Sequence, residues 1–190
     1  MSLVDFPIAV LAFPVALAAA LVTTPLMLRL AWATGYLDQP EARKLHTSAT
    51  ALLGGAAVFL AAMVGWAITV SRMPVAMGDW EAYYLLAGAG VALGLGLWDD
   101  RFGMQPSVKM VGQAAAATLI VSAGVVPDTG LPLGVTGALA MIGVIALMNA
   151  VNFLDNMNGM VGGLAPIALG GFAWMSLERG AYGVAAASPS

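Results

Sequence analysis

Trp98-Asp99-Asp100-Arg101-Phe102-Gly103 places two adjacent carboxylates and a guanidinium between two long apolar runs. It continues through Ser107-Val108-Lys109 to Gln113, at the head of the second run. An ionised group in hydrocarbon costs several kcal/mol, so apolar helices that cross a membrane carry charge only where it has a use. An acid pair at the foot of one such helix, with Arg101 beside it and Lys109 opening the next, marks a functional place. The remainder of the chain reads as a scaffold that brings other polar groups to it.

Composition supports the membrane reading. Of 190 residues, 61% are hydrophobic and only 9% charged, whereas a soluble domain carries about 25% charged residues. The formal net charge of −3 says little, because charge beside the membrane matters more than the total. The chain has no cysteine, which excludes disulfides, thiolate metal sites and a cysteine nucleophile. Its one histidine, His46, excludes a histidine-cluster metal site. Seven Lys and Arg scattered over the whole length exclude a basic nucleic-acid-binding surface.

Working outward from the acid pair, the apolar runs predict an all-α polytopic membrane domain over residues 1–190, with about six transmembrane helices. The first spans about Val4 to Thr34. It is too long for the core of a signal peptide, and Asp5 stands where a signal would carry Lys or Arg, so a retained helix is expected. Pro7, Pro14 and Pro25 are candidate kinks. The second covers about Gly54 to Val70, ahead of Arg72, and the third about Ala82 to Leu97. Gly88, Gly90, Gly94 and Gly96 superficially resemble a nucleotide-binding glycine loop, but no strand precedes them. Gly90 and Gly94 instead have the small-xxx-small spacing that lets helices approach closely. Helix four is expected from Pro106 or Ser107 to about Ala123, with Lys109 and Gln113 on one face. Helix five is expected over about Leu133 to Val151 and helix six over about Gly159 to Leu177.

Basic residues orient these helices. Arg29, Arg43, Lys44, Arg101 and Lys109 fall in or beside the loops after helices one and three, against Arg72 and Arg179 on the other side. The bias puts the loops after helices one, three and five in the cytoplasm and the N-terminus outside. Asp5, Asp79, Glu81 and Asp128 then lie outside. Every polar motif falls on the cytoplasmic side, although only Lys and Arg were counted.

Two further polar stretches share that side. Gly35 to His46 is the most polar segment of the chain, and a solvated loop is its simplest reading. Asn149-Ala150-Val151-Asn152-Phe153-Leu154-Asp155-Asn156-Met157-Asn158-Gly159 is the other. In a helix, Asn149, Asn152 and Asn156 share one face, with Asp155 nearby. Amides in apolar helices also serve simply as interhelical hydrogen bonds. Asp99, Asp100 and Asp155 with amides are hard oxygen donors that suit Mg²⁺. Arg101 and Lys109 suit phosphate oxygens. Acids, cations and a metal at a membrane face fit phosphoryl transfer, where catalysis is positioning and charge neutralisation.

Three blocks of the sequence resemble one family. They are Gly35-Tyr36-Leu37-Asp38-Gln39-Pro40 with Arg43, Lys44, His46 and Gly54-Gly55; Leu97 to Gly103 with Lys109 and Gln113; and Asn149 to Gly159. In order, spacing and expected sidedness they are similar to the polyprenyl-phosphate N-acetylhexosamine-1-phosphate transferases of glycosyltransferase family 4, nearer the branch acting on simple UDP-sugars than the peptidoglycan branch. The resemblance implies transfer of a sugar 1-phosphate from a UDP-N-acetylhexosamine to polyprenyl phosphate in the bacterial inner membrane, with Mg²⁺ required and UMP released. It implies Asp99 and Asp100 as the catalytic acids, and Lys44, His46, Arg101, Lys109, Asn149 and Asn152 as substrate-binding residues. Asp155 and Asp100 would hold the metal. Expected partners are the lipid phosphate, the UDP-sugar and the membrane, with a second copy of the chain as a further candidate.

The departures bear on this expectation. Asn158 stands where the family usually has a second acid, and Ala49-Thr50-Ala51-Leu52-Leu53 replaces a loop that usually carries prolines and a basic residue. The family's later helices, with a further metal-binding acid and a histidine-rich loop, have no counterpart here. The expectation is therefore the N-terminal portion of a longer transferase fold, inactive alone. The alternative is a non-catalytic membrane paralogue acting as a scaffold or assembly partner. A transporter fits less well, because the acids gather at one face rather than at the bilayer midplane.

Overall fold

The computed structural model describes residues 5–38, 50–72 and 79–155, together with Leu164 and Ile167. Five helices account for most of them: α1 (Asp5–Thr34), α2 (Gly54–Arg72), α3 (Asp79–Phe102), α4 (Pro106–Ser122) and α5 (Leu133–Asp155). The expected sixth helix lies outside the described residues. Among the described residues, three segments are long and apolar enough to cross a membrane: Pro14–Thr34, Trp80–Phe102 and Leu133–Leu154; Gly54–Ile68 is a shorter apolar stretch. The chain is an all-α membrane protein, with one small departure. Leu37–Asp38 and Thr50–Ala51 form a two-residue antiparallel ladder, β1 and β2, at the stem of the first polar segment.

The helices end where local chemistry stops them. α1 closes in a Schellman turn: Gly35 takes the left-handed conformation (φ 68°), and the Tyr36 N–H bonds the Ala31 carbonyl at 2.8 Å. Gly103 (φ 69°) ends α3 in the simpler left-handed cap, its own N–H on the Asp99 carbonyl at 2.9 Å. α3 therefore continues past Leu97, and the acid pair sits inside its last turn rather than in a following loop. α5 likewise runs on past Val151 to Asp155. At α4, Gln105 is the cap and Pro106 the first helical residue, where its missing N–H costs nothing.

Two compact units make up the chain. One comprises residues 1–75 and 92–109; the other comprises 76–91 and 110–190. In the first, α1 packs on α2 through alanines, with Ala31, Ala57 and Ala61 buried. The Thr23 hydroxyl lies 2.9 Å from its own helix at Ala19 O and 3.1 Å from Ala57 O across the interface. In the second, α3 meets α4 at Gly88. A Cβ there would sit 2.7 Å from Ile120 Cγ1 and 3.2 Å from Ala116 O. Gly90 and Gly94, the pair expected to mediate close packing, have open space where a Cβ would go. Spacing identified the right helix but the wrong face, because α4 covers only one side of α3 and Gly88 is on it.

Size is sorted inside-out relative to a soluble domain. Among the described residues, the buried apolar ones are all alanines, while Leu21, Val111, Leu133 and Ile142 are exposed. Lipid solvates large side chains as well as another helix does, so only small residues gain by facing inward. Trp80 and Tyr83 stand exposed at one end of α3, and Trp98 and Phe102 at the other. Trp80 and Trp98 are about 27 Å apart along the axis at 1.5 Å per residue, close to the hydrocarbon thickness of about 30 Å. Aromatics at both ends of a membrane-length helix fit the belts that such residues form at membrane interfaces.

Gly88→Ala should lower the thermal unfolding midpoint in detergent micelles, with a cost of about 1–3 kcal/mol for overpacking. Gly90→Ala, with room for its methyl, should hold or raise the midpoint, since Ala favours helix over Gly by up to about 1 kcal/mol.

Candidate functional site

In the first unit, the site is built on the turn between α3 and α4. Asp99 accepts from two directions. Its Oδ2 receives the Lys109 ammonium at 2.6 Å, and its Oδ1 receives the Met104 N–H at 2.9 Å. Its own carbonyl takes the Gly103 N–H. Asp99 therefore closes the turn with both carboxylate oxygens and its backbone. Each member of the pair occupies the unfavourable end of its own helix dipole. An acid in the last turn of α3 and a cation in the first turn of α4 are both disfavoured singly. Joined across the turn, each offsets the other's cost. Both side chains are largely shielded, at 25% exposure for Lys109 and 21% for Asp99.

Asp100 follows in the same last turn and is exposed. Arg101 turns away from the acids, toward the end of α1. Its Nη1 donates to the Gly35 carbonyl at 2.8 Å, and its guanidinium lies 5.6 Å from the centre of the Tyr36 ring. The Tyr36 hydroxyl donates to the Leu97 carbonyl. Burial raises the Tyr36 phenol above its usual range; the Asp100 charge adds to that, and Arg101 opposes it. These contacts bring the C-terminal ends of α1 and α3 together. The first and third inter-helix segments therefore start on one side, as the charge bias predicts. On α3, Trp98 and Phe102 lean together with ring centres 5.0 Å apart.

The second unit holds the amides. Gln113 and Asn149 form a reciprocal pair between α4 and α5. Gln113 Nε2 donates to Asn149 Oδ1 at 3.2 Å, and Asn149 Nδ2 donates to Gln113 Oε1 at 2.9 Å. Asn149 also reaches its own helix at Ile145 O, 2.8 Å away. Gln113 is 3% exposed, so the pairing satisfies a buried amide that would otherwise be costly. Asn152 is exposed on α5 one turn after Asn149. Asp155 is the last residue of that helix.

Of the residues expected at the site, Asp99 and Lys109 meet directly, with Asp100 and Arg101 in the same helical turn as Asp99. Asn149 is engaged with Gln113. Lys44 and His46 lie outside the described residues. Among the described residues, no group of three His, Cys, Asp or Glu side chains is arranged to hold a metal ion. Tyr36 was not singled out from the sequence. The available signal was its place directly after Gly35, a helix-ending glycine at the head of the first polar block.

Removing either charge of the Asp99–Lys109 pair should destabilise the chain. In a double-mutant cycle of Asp99→Asn and Lys109→Met, unfolding in micelles should show a coupling of about 1 kcal/mol. For the amides, Asn149→Leu should cost more than Gln113→Leu, because it orphans the buried Gln113 while Asn149 retains Ile145 O. Each should cost about 1–2 kcal/mol, and the double variant should cost less than their sum.

Comparison with known proteins places the chain. It is 30% identical over 184 residues to a probable undecaprenyl-phosphate N-acetylglucosaminyl 1-phosphate transferase of Bacillus subtilis, covering 90% of this chain and 49% of that one. It is 33% identical over 173 residues to a decaprenyl-phosphate N-acetylglucosaminephosphotransferase of Mycobacterium tuberculosis, covering 80% and 42%. With an undecaprenyl-phosphate alpha-N-acetylglucosaminyl 1-phosphate transferase of Escherichia coli K12 it shares 29% over 153 residues, covering 74% and 40%. The chain thus spans about half the length of these relatives. No solved structure matches it significantly. Residues 82–189, which include the acid pair, α4 and α5, match the profile of a single family, and on that match the chain belongs to glycosyl transferase family 4.

Proposed function

We propose that this chain carries part of the active site of an enzyme that moves N-acetylhexosamine 1-phosphate from a UDP-sugar onto polyprenyl phosphate. In that reaction an oxygen of the lipid phosphate attacks the sugar-bearing phosphorus. The bridging P–O bond of the donor breaks, UMP leaves, and a lipid-linked diphosphate forms. The proton on the lipid phosphate, where present, goes to a base.

The observation that supports this most is the division of labour at the α3–α4 turn. Asp99 is committed to Lys109 and to the Met104 N–H, which holds the next residue, Asp100, at the end of a membrane-length helix. Lipid phosphates reside at that level. Asp100 is the carboxylate we assign to the acceptor phosphate, as base or orienting group. Lys109 neutralises the carboxylate that shapes the turn. Asn152 and the basic first segment, with Lys44 and His46, are assigned to the donor. The chemistry of the donor set fits Mg²⁺, since Asp100 and Asp155 supply hard oxygens and the chain has no cysteine. The metal would neutralise charge on the diphosphate. The charge bias supports a bacterial cytoplasmic membrane with this side inward.

Membranes carrying the chain within any longer polypeptide its reading frame encodes, rather than the chain alone, should release UMP from UDP-N-acetylglucosamine only with polyprenyl phosphate and Mg²⁺. EDTA should abolish release, and Asp100→Asn should lower it by about 100-fold or more. No Mg²⁺-dependent release from that polypeptide would overturn the proposal and leave a non-catalytic membrane relative.

A further inference from the structure

The end of α1 and the last turn of α3 hold each other by a reciprocal clasp. Tyr36, on the α1 side, donates its hydroxyl to the Leu97 carbonyl on α3. Arg101, on the α3 side, donates to the Gly35 carbonyl on α1. Leu97 and Arg101 are one turn apart, about 6 Å along the axis. Two attachment points at that separation fix both the sliding and the rotation of one helix end against the other. A helix carbonyl has a second lone pair, so Leu97 accepts the phenol without giving up its place in the ladder. The Arg101 guanidinium over the Tyr36 ring adds a cation–π contact.

Tyr36 is also the root of the first polar segment. Its N–H completes the α1 cap on Ala31, and its carbonyl accepts the Leu52 N–H at 3.2 Å, which extends the β1–β2 ladder. One side chain and its backbone thus tie the cap of α1, the β1–β2 ladder and the last turn of α3 into one piece.

We infer that Tyr36 is a positioning residue, and that the Tyr36–Leu97 and Arg101–Gly35 clasp sets the β1–β2 ladder against the Asp99-Asp100 turn. This gives Arg101 a structural task beside any phosphate contact, since its Nη1 is on a carbonyl and its guanidinium faces an aromatic ring while its other N–H donors remain. The inference rests on the proposed transferase reading for its catalytic consequence, but its geometric content stands apart from it.

The chain has no native cysteine, so spin labels at Ala51→Cys and Gln105→Cys report the ladder-to-turn distance without background. Pulsed dipolar measurement in nanodiscs should give a narrow distribution in the parent and a broadened one in Tyr36→Phe. Broadening should be no greater in Tyr36→Phe/Arg101→Gln than in the worse single variant, if the two bonds act as one device. In the active polypeptide, Tyr36→Phe should lower kcat about tenfold, as expected for a small misplacement, with KM for both substrates within about twofold. Narrow distributions in both variants would overturn the inference. So would broadened distributions with kcat unchanged, which would make the clasp architecture only. If the parent itself releases no UMP, the transferase reading fails, and the distance measurement alone decides the clasp.

Discussion

The structure depends on one electrostatic constraint: a charge at the end of a membrane-length helix must be neutralised locally or left in water. Asp99 and Lys109 meet it together. Neither suits its own helix end, since the dipole of α3 repels an acid in its last turn and that of α4 repels a cation in its first. The ion pair converts two local penalties into one closed turn, reinforced by the Met104 N–H. Such local conflict resolved by a long-range partner is common where function dictates residue choice. Here it fixes where Asp100 stands relative to the helix end.

Elsewhere the helices assemble by the logic of a lipid solvent. Large apolar side chains gain nothing by facing inward, so alanine, glycine and hydroxyl groups define the contacts. Ala31, Ala57 and Ala61 let α1 and α2 approach, and Gly88 admits Ile120 of α4. Polar groups inside this setting must find each other. The reciprocal Gln113–Asn149 bond is that rule applied to amides, and it gives α4 and α5 a fixed register. An asparagine row on a helix is therefore divided in use: Asn149 holds helices together, while Asn152, one turn later, is exposed.

The family assignment and the geometry inform different questions. Family membership follows from the match over residues 82–189. The relatives' names motivate the proposed reaction, and the turn at Asp99-Asp100 motivates the roles proposed for its residues. The two acids are adjacent in sequence yet differ in surroundings. Asp99 is shielded and doubly held, and Asp100 is exposed in the same last turn of α3.

Much of this was legible in the sequence. Apolar run length located all five described helices, because a span must satisfy its own backbone across a fixed thickness. The charge bias put the ends of α1 and α3 on one side, and the scarcity of charge made Asp99, Asp100 and Lys109 conspicuous. Helix ends were less legible. Helix three was expected to end at about Leu97, whereas its left-handed stop falls at Gly103, so the helix runs through the acid pair. Partner choice was beyond the sequence altogether. Gly88 rather than Gly90 and Gly94 carries the close contact, Arg101 goes to Gly35 and Tyr36, and Gln113 chooses Asn149. Composition and periodicity determine that a residue lies on a helix and how far apart two residues lie along it. Which face meets which neighbour depends on the rotation and offset of whole helices, and only tertiary packing sets those.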